Sequence, residues 1–145
     1  MKLRFVVVAV ALLLMLSATA IGQERMRFTR YVYGYKYTFK VFDEDLQKLP
    51  SWNPEAEDVP ISVRKAIDIG KINLERLIPQ DHEKWVLNTI TLSRIGKDNW
   101  LYEIEFQNDE LLGSGPDWTF AIFVKMDGTI VEPEVVPNDG KARVY

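Results

Sequence analysis

The stretch Trp100-Leu101-Tyr102-Glu103-Ile104-Glu105-Phe106-Gln107 constrains this chain more than any other. Trp100, Tyr102, Ile104 and Phe106 alternate with Leu101, Glu103, Glu105 and Gln107. Successive strand residues point to opposite faces, so the pattern predicts a strand with one aromatic, buried face and one mostly charged face. Such a strand needs paired neighbours and an apolar element lying on its greasy side.

The flanking sequence supplies both. Trp85 to Ile95 reads as a strand with Val86, Ile90 and Leu92 on its apolar face and Thr89, Thr91 and Ser93 on the other. The short Gly96-Lys97-Asp98-Asn99 break makes an antiparallel hairpin of it with the Trp100 strand. Downstream, Trp118, Phe120, Ile122, Val124 and Met126 alternate with Thr119, Ala121, Phe123 and Lys125. Asp127-Gly128 then signals a tight hairpin, with Thr129-Ile130-Val131 as the last strand, limited by Pro133. The cover is a helix. Ser62 is a natural N-cap, Val63, Ala66, Ile67, Gly70, Leu74, Leu77 and Ile78 recur at helical spacing, and Pro79 stops the run. Gly70 costs roughly 1 kcal/mol against Ala in a helix, which a close approach of another chain segment there would justify.

Ahead of the helix, residues 23–59 combine an aromatic strand with a linker. Tyr31, Tyr33, Tyr35, Tyr37, Phe39 and Val41 alternate with Lys36, Thr38 and Lys40, as one long strand or two pieces broken near Gly34. A row of Tyr31, Tyr33, Tyr35 and Tyr37 on one exposed face would be a platform for a peptide or sugar, with an exposed sheet edge as the other surface by which a binding module could act; burial of the rings beneath the rest of the protein is the competing reading. Leu49-Pro50-Ser51-Trp52-Asn53-Pro54 reads as a linker that Trp52 pins to the core. Residues 137–145 read as a loose tail.

The sequence assigns no catalytic residue, cofactor or metal. Asp43-Glu44-Asp45 lacks the spacing of a calcium loop and reads as a solvated turn. His82, the only histidine, follows a proline in a connection and has no second histidine to complete a metal site. Ser114, between glycines in the Asn108 to Pro116 loop, is not placed on a strand-to-helix turn as a hydrolase nucleophile would be. Glu103 and Glu105 share a strand face, as a two-carboxylate hydrolase could require, yet an ordinary charged face gives the same pattern. There is no cysteine, which removes disulfides and thiol chemistry.

One helix followed by a meander of strands, with Ser62 and Ala66-Ile67, the Trp100 to Phe106 alternation, and Val124-Lys125-Met126-Asp127-Gly128-Thr129-Ile130, resembles a PepSY domain over about Pro60 to Pro133. The expected fold is therefore α+β: one main helix packed on an antiparallel sheet of four to five strands, PepSY/cystatin-like, with residues 60–136 as the α-β-β-β-β core. The resemblance implies an exported bacterial protein and, as partner, a peptidase or another envelope protein. It carries no catalytic residues over.

Export also follows from the N-terminus. Met1-Lys2-Leu3-Arg4 precedes an uncharged apolar run to Leu16 and small residues at Ala18, Ala20 and Gly22, the three parts of a secretory signal peptide over residues 1–22. Its removal takes away Lys2 and Arg4 and no acid, moving the formal charge from −3 to −5. An acidic mature chain argues against nucleic acid, and no second apolar run would hold it in a membrane. The expected function is an exported, non-catalytic binding module, secreted or periplasmic, with a structural envelope protein as the alternative. N-terminal sequencing of the exported chain is expected to read from Gln23 or Ile21; retention of the first residues would mean an uncleaved anchor.

Overall fold

The computed structural model describes residues 22–112 and 118–138, so the expected signal segment, the Gly113 to Pro116 stretch with Ser114, and most of the expected tail lie outside the described residues. The fold is α+β with one main helix, as expected. Its strands, however, form two antiparallel sheets of three rather than one sheet of four to five.

Of the two readings of the aromatic stretch, the one with a break near Gly34 is observed. β1 (Glu24–Val32) and β2 (Tyr35–Phe42) are a hairpin, not one strand, because Tyr33 and Gly34 both take positive φ, 49° and 77°. Two such residues match the right-handed twist of the flanking strands. Positive φ is costly for a tyrosine. Tyr33 is held there by its ring, edge-on to Trp85 at 6.5 Å, and by its hydroxyl, which accepts from Asn108 Nδ2 at 3.4 Å.

A departure comes at the C-terminal end. Asp127-Gly128 does turn the chain, with Gly128 at φ 83° and Thr129 N–H donating to the Asp127 carboxylate at 2.9 Å. Beyond it only Ile130 bridges Val124, and the chain then leaves for the other sheet. There β6 (Pro133–Pro137) pairs with β2, beyond the Pro133 at which the last strand was expected to end. Proline cannot donate to a ladder, and β6 tolerates two because it is an edge strand.

Between these ends lie a short turn of helix, α1 (Asp43–Leu46), the main helix α2 (Val63–Leu77), and β3 (Val86–Arg94), β4 (Trp100–Gln107) and β5 (Thr119–Lys125) in that spatial order. Ser62 caps α2, its hydroxyl accepting from Lys65 N–H at 3.2 Å. The register pairs Tyr102 with Val124, Ile104 with Ile122 and Phe106 with Phe120, one apolar face under the helix. Ala66, Gly70 and Leu74 are the buried helical positions, continued by Ile78 just past the last turn, a stripe narrower than the sequence suggested, with Val63 and Ile72 left exposed. The close approach at Gly70 is to Ile104. A Cβ there would stand 3.1 Å from Ile104 Cγ2 and 3.3 Å from its Cβ.

The opposite face of β4 and β5 is not solvated as its charges implied. Leu101 and Phe123 are buried on it, and Phe123 meets Phe28 at 5.0 Å and Phe39 at 5.2 Å. Phe39 also meets Phe120, which points the other way, so the aromatics of the first hairpin wrap around β5. Tyr37 completes the join by donating its hydroxyl to Leu77 O, at the end of α2, at 3.1 Å. Each such fully buried side chain contributes about 2 kcal/mol.

Gly70→Ala should gain about 1 kcal/mol of helix propensity and lose about 2 kcal/mol to crowding against the stiff, fully buried Ile104. Urea unfolding is therefore expected to show a net loss of about 1 kcal/mol, and the same change made in an Ile104→Ala background should stabilise.

Candidate functional site

The hairpin parts the nominated tyrosines. Tyr35 and Tyr37 follow the face of Val32 and Arg30, Tyr31 pairs with Lys36 on the other face, and Tyr33 sits in the turn. Tyr37 is 5% exposed and burial raises its pKa, whereas Tyr35 is 47% exposed. The described structure brings the four rings to no common platform. His82 lies in an exposed turn, its Nδ1 3.3 Å from Pro79 O. In α1, Asp43 pairs with Arg25 and Asp45 accepts from Phe42 N–H. Among the described residues no three His, Cys, Asp or Glu side chains gather as a metal site would need.

Glu103 and Glu105 lie on the face of β4 turned away from α2. Arg30 reaches across from β1, its Nη2 3.6 Å from Glu105 and its guanidinium 4.0 Å from the centre of the Phe28 ring. Asn88 Nδ2 also donates to Glu105, at 2.9 Å. Glu103 has its pKa raised by burial first and by the neighbouring Glu105 second, with Arg30 pulling weakly the other way.

A different region stands open. α2 packs mainly on β4 and β5 and leaves β3, one of the two outer strands of its sheet, at its margin. Leu87 pairs with Phe106, Ile90 with Ile104, Leu92 with Tyr102 and Arg94 with Trp100, so these four share the helix side. A bulge between Leu87 and Thr89 puts Leu87 there in place of Val86, which the simple alternation had chosen. Leu87 and Leu92 are 38% and 37% exposed, and Ile72 of α2 is 67% exposed. Leu87 and Ile72 border a groove of about 450 Å³ floored by Leu74, Trp85 and Phe106 and rimmed by Lys71, Glu75 and His82.

At the other end of β3 lies a second hollow, about 410 Å³. Trp52 and Trp100 form its corner, ring centres 5.4 Å apart and planes at 69°. The linker is held there as expected of Trp52: its N–H donates to Asp98 O at 2.9 Å and its indole N–H to Glu57 O at 3.1 Å. Glu55, Glu57, Asp98 and Arg94 line the rest. Sequence reasoning saw Trp52 and Trp100 singly; their meeting depends on the fold of the linker, which no periodicity reports.

No family model, no curated protein and no solved structure matches this chain. The functional reading therefore rests on geometry.

Because the folded state holds the Glu103 proton more tightly than the unfolded chain does, stability should fall as pH rises from about 4.5 through the raised pKa. Glu103→Gln is expected to raise the melting temperature at pH 7, with the gain vanishing below about pH 4.5.

Proposed function

We propose that this chain is an exported, non-catalytic binding module that takes an extended segment of another protein along the free edge of β3. A strand on a sheet edge presents unpaired N–H and C=O groups, and an added strand satisfies them while its alternate side chains fill neighbouring pockets. The observation that carries the reading is the chemistry of this edge. From Val86 to Ser93 it holds no charged residue and no proline, and Leu87, Leu92 and Ile72 lie exposed beside it. Among the described residues the other sheet has two edges, and both are guarded: β6 by Pro133, Glu134 and Pro137, and β1 by Glu24, Arg25, Arg27 and Arg30. A structural envelope protein without a ligand would need no such contrast. The hydrolase reading of Glu103 and Glu105 has less support, since neither lines either groove.

A peptidase or another cell-envelope protein is the proposed partner, in keeping with the resemblance to PepSY domains. An enzyme whose substrate channel or flanking loop offers an extended segment would be slowed or positioned by such a module.

In a panel of labelled peptides with alternating apolar residues, binding is expected, measured by fluorescence anisotropy. N-methylation of the peptide's pairing amides should abolish it. Ile72→Lys and Leu87→Lys, both at exposed positions, should weaken it about tenfold or more without lowering the melting temperature by more than a few degrees. No binding by any peptide, together with no slowing of any exported peptidase, would refute the proposal.

A further inference from the structure

The groove beside Leu87 and the Trp52–Trp100 corner lie at opposite ends of one strand and open on one side of it. Leu87 and Phe106 belong to the groove, Arg94 and Trp100 to the corner, and the register places both pairs on the helix side of the sheet. A segment added to β3 without a bulge would span them as β4 does, with side chains about six positions apart, roughly 20 Å. That spacing is even, so one face of the guest serves both hollows.

The two hollows differ in chemistry. The groove is floored by apolar side chains. The corner offers two indole rings set at a steep angle with Glu55, Glu57 and Asp98 around them. Its one cation among the described residues is occupied: the Arg94 guanidinium donates to Gly96 O and Lys97 O, pairs with Asp98 at 3.8 Å and stands 6.0 Å from the centre of the Trp100 ring. Arg94 thus offsets Asp98 and leaves Glu55 and Glu57 on the rim, and its own placement shows a cation lodging against this indole. Indole faces with carboxylates beside them attract ammonium and guanidinium groups.

We infer that the segment taken up by β3 carries a bulky apolar side chain for the Leu87–Ile72 groove and, about six positions away on the same face, a Lys or Arg for the Trp52–Trp100 corner. This rests on the strand-addition reading above and narrows its partner to one with a basic, extended segment.

The test uses the mature chain and three labelled peptides of alternating Thr and Val, each with Leu near one end. The first has Lys about six positions from the Leu, the second Glu at that position, and the third Lys moved by one position to the opposite face. Both chain orders are made, since the sheet edge accepts either direction. The first peptide is expected to bind about tenfold tighter than the second, with the advantage shrinking in high salt and lost in the third. In a Glu55→Lys, Asp98→Lys variant the preference should disappear or invert while the Glu peptide binds no more weakly. Equal binding of all three, still sensitive to Leu87→Lys, would overturn the inference and leave strand addition standing. No binding at all, with Leu87→Lys without effect, would overturn strand addition itself. Concentration-dependent dimerisation removed by Leu87→Lys, seen by sedimentation velocity, would name a second copy of this chain as the occupant and overturn the basic-segment inference.

Discussion

The seat of α2 on Ile104 governs the rest of the molecule. Ala66 and Gly70 are the smallest side chains on the buried stripe, and they let the helix axis drop close to β4. A wider stripe of large residues would hold the helix higher and spread it across the sheet. With this narrow one, α2 packs on the Tyr102, Ile104 and Phe106 row and its β5 partners and leaves β3 at its margin, with a groove between Ile72 and Leu87. The exposure of Leu87 and Leu92 is thus a consequence of how tightly the helix sits. Packing on one strand creates the opening beside the next.

The second sheet exists because β5 has apolar side chains on both faces. Phe120 and Ile122 belong under the helix, Ala121 and Phe123 do not, and all four are buried. Phe28, Phe39 and Tyr37 supply the cover, edge-to-face with the β5 rings, a geometry that adds about 1 kcal/mol per pair beyond area alone. This arrangement consumes the aromatic hairpin as core. Tyrosines that might have formed a surface platform are instead divided between the interior, the turn and the solvent.

The treatment of sheet edges ties fold to function. β6 carries prolines and a glutamate, and Lys40 holds Glu134 at 2.7 Å across the pair with β2. β3 carries threonines, leucines and an isoleucine along a free edge, with charge only at its end, Arg94. Edge strands without charge or proline invite another strand, which is the basis of the strand-addition proposal. Under that proposal the two hollows at the ends of β3 are addresses on the edge, one apolar and one aromatic and acidic.

What could be read directly from residues was whatever depends on neighbours in sequence. Alternation identified β4, β5 and the β3–β4 hairpin, helical spacing with Ser62 and Pro79 bounded α2, and Asp127-Gly128 marked its turn. These are local preferences of backbone and burial, and they survive folding because each element keeps its own periodicity. Tertiary structure alone decided the rest. Whether Tyr33-Gly34 bends or reverses the chain depends on Trp85 and Asn108, far away in sequence. Whether the chain stops pairing at Pro133 or resumes as a strand over residues 133–137 depends on an unpaired edge of β2 being within reach. The bulge that turns Leu87 to the helix side, and the meeting of Trp52 with Trp100, likewise arise from contacts between distant segments. Such contacts leave no period in a sequence, because each is decided by where two separate pieces of chain come to rest.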